Sequence, residues 1–160
     1  MELRPKPIEV VSYPIKNDPG KIDSSKLENI KTEFNFLTIA QLAPRKNLEQ
    51  TLRCFVNEFR NDENVGLIVK CHAQNHSIMD KDLTERALLP SIERLGPRKC
   101  KIYHIHGDME EGEMQALIRH DKVKAYCTTT FGEGFGLPLF DAAASGVPII
   151  APKFSGHLDF

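Results

Sequence analysis

Between Thr130 and Gly156 the chain reads TFGEGFGLPLFDAAASGVPIIAPKFSG, and its glycines and carboxylates are spaced for anion and hydroxyl chemistry. Gly132, Gly134 and Gly136 surround a turn, and Pro138 follows in what would be a first helical turn, where a missing N–H costs nothing. Glycines let backbone amides come close to a ligand. Amides at a helix start, with the helix dipole behind them, favour an anion such as a phosphate. Glu133 lies on the loop and Asp141 comes eight residues later, inside the expected helix. Both carboxylates can then reach one pocket mouth, one on each side of the phosphate. Carboxylates accept hydrogen bonds from neighbouring hydroxyls, as on a ribose or a hexose. A phosphate cradle flanked by two hydroxyl readers suits a nucleotide sugar. The plain alternative is a helix start after a glycine turn.

These residues need a scaffold, and the chain supplies an alternating one. Strands are expected at Phe34–Ala40, Val65–Cys71, Lys101–His106, Val123–Thr128 and Pro148–Ala151. Between the first two, Leu48, Leu52, Phe55, Val56 and Phe59 recur at helical spacing. Asn47 is the expected cap of that helix, with Gln50 as its reciprocal partner. A looser helical stretch runs from about Asp80 to Leu95 and ends at Gly96-Pro97. Asp108 should cap a third helix carrying Met114, Leu117 and Ile118, and a fourth covers Leu137–Ala144. Five strands alternating with four helices predict an α/β domain, a Rossmann-like parallel sheet with helices on both faces. Ligands of such sheets sit beyond the carboxyl ends of the strands, where the strand order reverses.

Residues 1–31 read as a connector, or what remains of an interdomain hinge, and residues 32–160 as the binding domain. Ile8–Ile15 could be a short strand or an extended connector, and Lys16–Ser25 has the turn residues of a loop. A six-stranded domain would need a further helix and strand after residue 160, so a domain truncated at its carboxyl end is expected.

Other residues invite a chemical reading and a plain one. Lys70, at the end of the second strand, could bring a cation to the phosphate rim. His104 and His106 share one side of the third strand, but no acidic or cysteine ligand at zinc-like spacing joins them, so no metal site is expected. The acidic run Asp108–Glu113 suits the start of a helix better than a metal. Tyr103 and Tyr126 fit strand packing. Cys54, Cys71, Cys100 and Cys127 are scattered without a CxxC pair, as reduced core thiols of a cytoplasmic protein would be.

Bulk properties exclude several classes. With 160 residues, 41% hydrophobic and 27% charged, the chain can bury a core. Its formal charge of −1 gives no bulk attraction to nucleic acid or to an anionic membrane. Met1–Pro7 lacks the apolar core of a signal peptide, and no apolar run approaches a membrane span.

Two segments carry a resemblance. EGFGLPLFDAAASGVPIIA is similar to the Glu-x7-Glu signature of family 4 retaining glycosyltransferases, EGFGLPxxEAMAxGxPVIA, with Asp141 in place of the second Glu. Ala40–Leu48, AQLAPRKNL, resembles that family's phosphate loop, with Gln41 where an Arg often stands. The resemblance runs from about Asn35 to Gly156 and implies the carboxyl-terminal, donor-binding domain of a GT-B enzyme. Glu133 would contact the transferred sugar, and the backbone around Phe135, Gly136 and Leu137 would hold the distal phosphate. Asp141 would hold ribose hydroxyls. Arg45 and Lys46 would neutralise the diphosphate leaving group, with Lys70 near it. His106 and Gly107 would meet the base largely through backbone, and Ser155-Gly156-His157 sits where the family has a glycine-rich loop near the donor.

The implied reaction moves a hexosyl group from a nucleoside diphosphate sugar (UDP- or GDP-hexose) to an acceptor, keeping the anomeric configuration and needing no metal or other cofactor. The acceptor pocket would lie on an amino-terminal domain missing here. Any peripheral membrane contact would come through that half, and this chain alone would be an incomplete enzyme. Other readings stay open: a phosphorylase or epimerase of the same fold, or a non-catalytic nucleotide-binding or scaffold module, for which Asp141 is the best support.

Overall fold

The computed structural model describes residues 9, 11–15 and 20–160. Five strands form one parallel sheet: β1 (Phe34–Gln41), β2 (Val65–His72), β3 (Lys101–Ile105), β4 (Val123–Cys127) and β5 (Ile149–Ile150). Their spatial order is β3-β2-β1-β4-β5. The chain begins at the centre, builds outward through β2 and β3, then returns past β1 to lay down β4 and β5. Strand order therefore reverses between β1 and β4, and such sheets bind their ligands beyond the carboxyl ends of the strands at that place.

Alternation along the strands sorts the core into two layers. Phe36 of β1 and Leu67, Val69 and Cys71 of β2 face one side, where α1 (Leu48–Phe59) and α2 (Ile78–Glu93) cover them with Leu52, Phe55, Val56 and Leu88. Leu37 and Ile68 face the other, beneath α3 (Glu111–Ile118) and α4 (Leu137–Ala144), with Leu117, Ile118, Leu139 and Ala142. Ile22, Leu27 and Ile30, ahead of the expected domain start at residue 32, pack against this second layer. The α/β reading, with helices on both faces of a parallel sheet, stands.

Several local expectations are corrected. Asn47 does not cap α1 through its side chain: it sits in the left-handed region (φ 49°, ψ 40°) and makes no side-chain cap bond. Gln50 turns instead to Cys54, donating to Sγ at 3.1 Å. The second helix starts earlier, at Ile78, because the Ser77 hydroxyl accepts from the Asp80 amide at 3.1 Å and fixes its first turn. Asp108 is not the cap of α3; that helix follows Glu110, and the Asp108 carboxylate accepts from the next amide, Met109. The end of the predicted Lys16–Ser25 loop runs into a 3-10 turn, Ser24–Lys26, where the Asp23 carboxylate accepts from the Ser25 amide. Residues 11–15 have no regular structure, while residues 8, 10 and 16–19 of those two expected segments lie outside the described residues. Cys54 is exposed rather than a core thiol, whereas burial pushes Cys71 and Cys127 up to about 12.

No helix among the described residues is long and apolar enough to cross a membrane.

Candidate functional site

The two loops that follow β1 and β4 carry Arg45, Lys46 and Glu133. After β1 the chain turns through a 3-10 helix, Pro44–Lys46, in which Pro44 fixes the start and the Asn47 amide closes onto the Pro44 carbonyl at 3.1 Å. This short turn projects Arg45 and Lys46 toward β4. After β4 come three threonines and the glycine loop, Thr128–Gly136.

The loops are stitched together by hydrogen bonds. Asn47 Nδ2 donates to the Thr129 carbonyl at 2.9 Å, and the Thr129 hydroxyl donates to the Asn47 carbonyl at 2.9 Å. The Thr51 and Thr129 hydroxyls meet at 2.9 Å. The Arg45 carbonyl accepts from the Phe131 amide at 2.8 Å and from the Thr130 hydroxyl at 3.2 Å. The Arg45 guanidinium donates to the Gly132 carbonyl. A left-handed Asn47 is what aims its side chain across the seam instead of along α1, and asparagine tolerates that conformation better than most residues.

At the centre lies Glu133, its side chain only 8% exposed. Lys46 Nζ sits 2.7 and 2.8 Å from its two carboxylate oxygens, and Arg45 Nη1 is 3.2 Å from one of them. Burial raises the Glu133 pKa, but the Lys46 bond and charge and the Arg45 bond outweigh it, so the carboxyl is held below its ordinary value. Glu133 is also tethered through its backbone. The Ser155 hydroxyl accepts from the Glu133 amide at 2.8 Å and donates to the Glu133 carbonyl at 2.8 Å. The chain from Gly134 then enters α4 through Gly136, whose φ of 89° and close approach to His157 and Leu139 make any side chain strained. The Leu139 and Phe140 amides both turn back to the Gly136 carbonyl. Asp141 lies four residues after Leu137 and therefore on the same face of α4.

An aromatic cluster supports the loop from the side. The Phe135 ring lies 5.3 Å from Phe140, 5.3 Å from Phe160 and 5.6 Å from Tyr13, which arrives from the amino-terminal segment. His157 is buried, with Nε2 at 2.7 Å from the Pro152 carbonyl.

The remaining candidates gather at the end of β3. Lys70 is buried and its Nζ donates to the Gly107 carbonyl at 2.7 Å, so its cation braces the turn after β3. Burial pushes the Lys70 ammonium below its usual range. Gly107 has a φ of 100°, which favours glycine there. His106 turns its ring to Asp80 at the start of α2, with Nε2 2.9 Å from the carboxylate. His104 sits 3.1 Å from the Cys71 carbonyl through Nε2. No group of three or more metal-type ligands able to hold an ion occurs among the described residues.

Arg45, Lys46 and Glu133 are thus brought into direct contact, with Phe135, Gly136 and Leu137 on the same loop and helix start. Lys70, His106 and Gly107 form a second group at the β3 end. Sequence reasoning missed Asn47 as a tie, Thr129, Thr130 and Tyr13, and gave Ser155 only as part of a glycine-rich loop. The run Thr128-Thr129-Thr130 at a strand end was a visible signal for hydroxyl stitching; nothing in the pattern pointed to Tyr13.

Comparison with known proteins gives a consistent result. A family model described as glycosyl transferases group 1 matches residues 21–160. A probable sucrose-phosphate synthase 4 of Oryza sativa subsp. japonica is 29% identical over 134 residues, 77% of this chain and 12% of that protein. The C-terminal domain of a glycosyl transferase group 1 family protein (LpcC) from Francisella tularensis matches with a TM-score of 0.60 at 18% identity, over 87% of this chain and 66% of that one. Anabaena HepE in complex with UDP-glucose gives a TM-score of 0.58 at 18% identity, over 85% of this chain and 34% of that one. At such identities the structural likeness speaks for the fold. The chain spans an eighth or less of the curated relative and two thirds or less of these two structures.

Proposed function

Because this chain belongs to the glycosyl transferases of group 1, we propose that it is the donor-binding part of a retaining hexosyltransferase using a UDP- or GDP-hexose. The observation that carries the reading is the meeting of Lys46, Arg45 and Glu133 where the β1 and β4 loops join. When the bond from the sugar's anomeric carbon to the diphosphate breaks, the electron pair leaves on a phosphate oxygen. Lys46, Arg45 and the backbone of Phe135, Gly136 and Leu137 stabilise that charge, taking the part a magnesium ion plays elsewhere. Glu133 accepts hydrogen bonds from sugar hydroxyls and fixes the ring. Asp141 reads the ribose, and His106 and Gly107 border the base, with Lys70 bracing the Gly107 turn.

Residues 32–160 are the donor domain in this reading, and residues 1–31 the connector to an amino-terminal acceptor domain. That other half supplies the acceptor pocket and any peripheral membrane contact. Unpaired cysteines suit a cytoplasmic setting.

Calorimetry with UDP, GDP and ADP, with and without magnesium, tests the proposal. One diphosphate should bind in preference to the others, independently of metal. Lys46→Ala should weaken it about thirtyfold, the loss of one charge-assisted contact to a phosphate. Glu133→Gln should leave the bare diphosphate within about threefold and remove the gain from an attached sugar. Silence from all three nucleotides on folded protein would instead favour a non-catalytic scaffold, which Asp141 and Gln41 already suit.

A further inference from the structure

Ser155 occupies backbone that belongs to glycine. Its φ of 87° with ψ of 179° lies in a region that a β-carbon makes costly. Next to it, Gly156 is pressed so closely onto the glycine loop that a Cβ there would lie 1.9 Å from the Gly134 carbonyl oxygen. A turn at this place needs only glycines, and serine is a worse choice for the turn itself. What serine adds is one hydroxyl, and that hydroxyl makes two bonds to a single residue. It accepts from the Glu133 amide at 2.8 Å and donates to the Glu133 carbonyl at 2.8 Å. The Gly156 amide adds a third bond to the same carbonyl at 3.2 Å. Both backbone polar groups of Glu133 are therefore held by residues 155 and 156, more than twenty positions away in the chain.

We infer that Ser155 is a positioning residue: its hydroxyl clamps the Glu133 backbone so that the carboxylate stays in register with Lys46 and with the sugar of the donor. This rests on the donor-binding reading for its second half, the sugar; the first half, the clamp, stands on the hydrogen bonds alone. Strain at residue 155 is retained because the clamp fixes a group that must not wander, the usual reason for a glycine conformation occupied by another residue near a site. Glu133 sits on a loop rich in glycine, whose backbone is intrinsically free to move.

The test compares Ser155→Gly and Ser155→Ala with the wild-type chain. Glycine removes the hydroxyl and the strain together; alanine removes the hydroxyl and keeps the strain. Their thermal midpoints should fall in the order glycine above alanine by about 3 °C, opposite to the usual ranking of these residues. The Glu133 carboxyl is followed by carbon-13 NMR, assigned with Glu133→Gln. In the wild type it titrates below the ordinary range, and in Ser155→Gly it moves up toward that range as its hold on Lys46 loosens. The affinity advantage of UDP-glucose over UDP, or of GDP-mannose over GDP, falls about tenfold in Ser155→Gly, while the bare diphosphate changes less than about twofold. An unmoved Glu133 titration in Ser155→Gly overturns the inference, whatever the nucleotides do. A moved titration with the sugar advantage intact overturns the positioning role. A wild type that gains nothing from attached sugar sinks the donor reading instead, and the titration alone then decides the clamp.

Discussion

At position 47 the chain asks one asparagine to do two things that pull in different directions. Its backbone ends the Pro44–Lys46 turn in the left-handed region, and its side-chain amide reaches the Thr129 carbonyl at 2.9 Å. A residue with a β-carbon but no amide loses both advantages. Asn47→Ala should therefore cost about 2 kcal/mol, the sum of left-handed strain and one hydrogen bond, while Asn47→Gly, free of the strain, should cost about 1 kcal/mol. Urea unfolding of the two variants measures the difference; equal losses would mean that the conformation at residue 47 carries no strain worth relieving. Asn47 also shows what a sequence can and cannot reveal at this scale. Its place just before Leu48 correctly marked a helix start, and a cap is the commonest use of asparagine there. Which way its side chain turns depends on a carbonyl 82 positions away, and no local pattern encodes that. Glu133 stood out by its place in the glycine loop, and Lys46 only through the resemblance of Ala40–Leu48 to a phosphate loop. Ser155 was legible only as part of a loop, since the value of its hydroxyl depends on what lies against it.

The elements were easier to read than their ends. Hydrophobic spacing located α1 and all five strands to within a residue or two, because burial on one face leaves a periodic trace. It fell two residues short at the start of α2, where Ile78 and Met79 are 84% exposed and add apolar residues that no core explains. That helix begins where polar bonds dictate. Ser77 accepts from the Asp80 amide, and the Asp80 carboxylate in turn accepts from the amides of Gln74 at 2.8 Å and Ala73 at 3.2 Å and from His106 Nε2 at 2.9 Å. Burial raises the Asp80 pKa, but these donors outweigh it and bring it from 3.8 to about 2. A carboxyl whose folded value lies below its unfolded one stabilises the fold above the unfolded value, and that contribution disappears as pH falls through the folded value. The knot tying α2 to the ends of β2 and β3 should thus weaken between about pH 4 and pH 2. Urea midpoints of the wild type and Asp80→Asn, followed across that interval, should converge as the pH drops. A difference that stays constant down to pH 2 would show that the carboxylate's charge is not what holds this end of the helix.

For the whole molecule, the order β3-β2-β1-β4-β5 decides where a ligand can act, and alternation of strands and helices alone does not specify it. The order places the two loops that carry Lys46 and Glu133 on β1 and β4, neighbouring strands whose side chains reach both core layers. On the donor-binding reading, a diphosphate held between those loops would tie together the ends of β1 and β4. Its binding free energy should then appear as global stability. At a ligand concentration about 100 times Kd that is about 2.7 kcal/mol, which for a chain of this length raises Tm by about 5–10 °C. Lys46→Ala provides the control. A thirtyfold weaker site at the same concentration leaves a ratio of about 3 and a gain of about 0.8 kcal/mol, or roughly 2–3 °C. Calorimetric scans of both proteins with and without the preferred diphosphate measure this, and amide hydrogen exchange adds the spatial part. Protection should rise in β1, β2 and β4 alike, in proportion to the shift in Tm. Protection confined to residues 130–140, with the strands exchanging as before, would mean that the nucleotide orders one loop and that the sheet does not share in its binding.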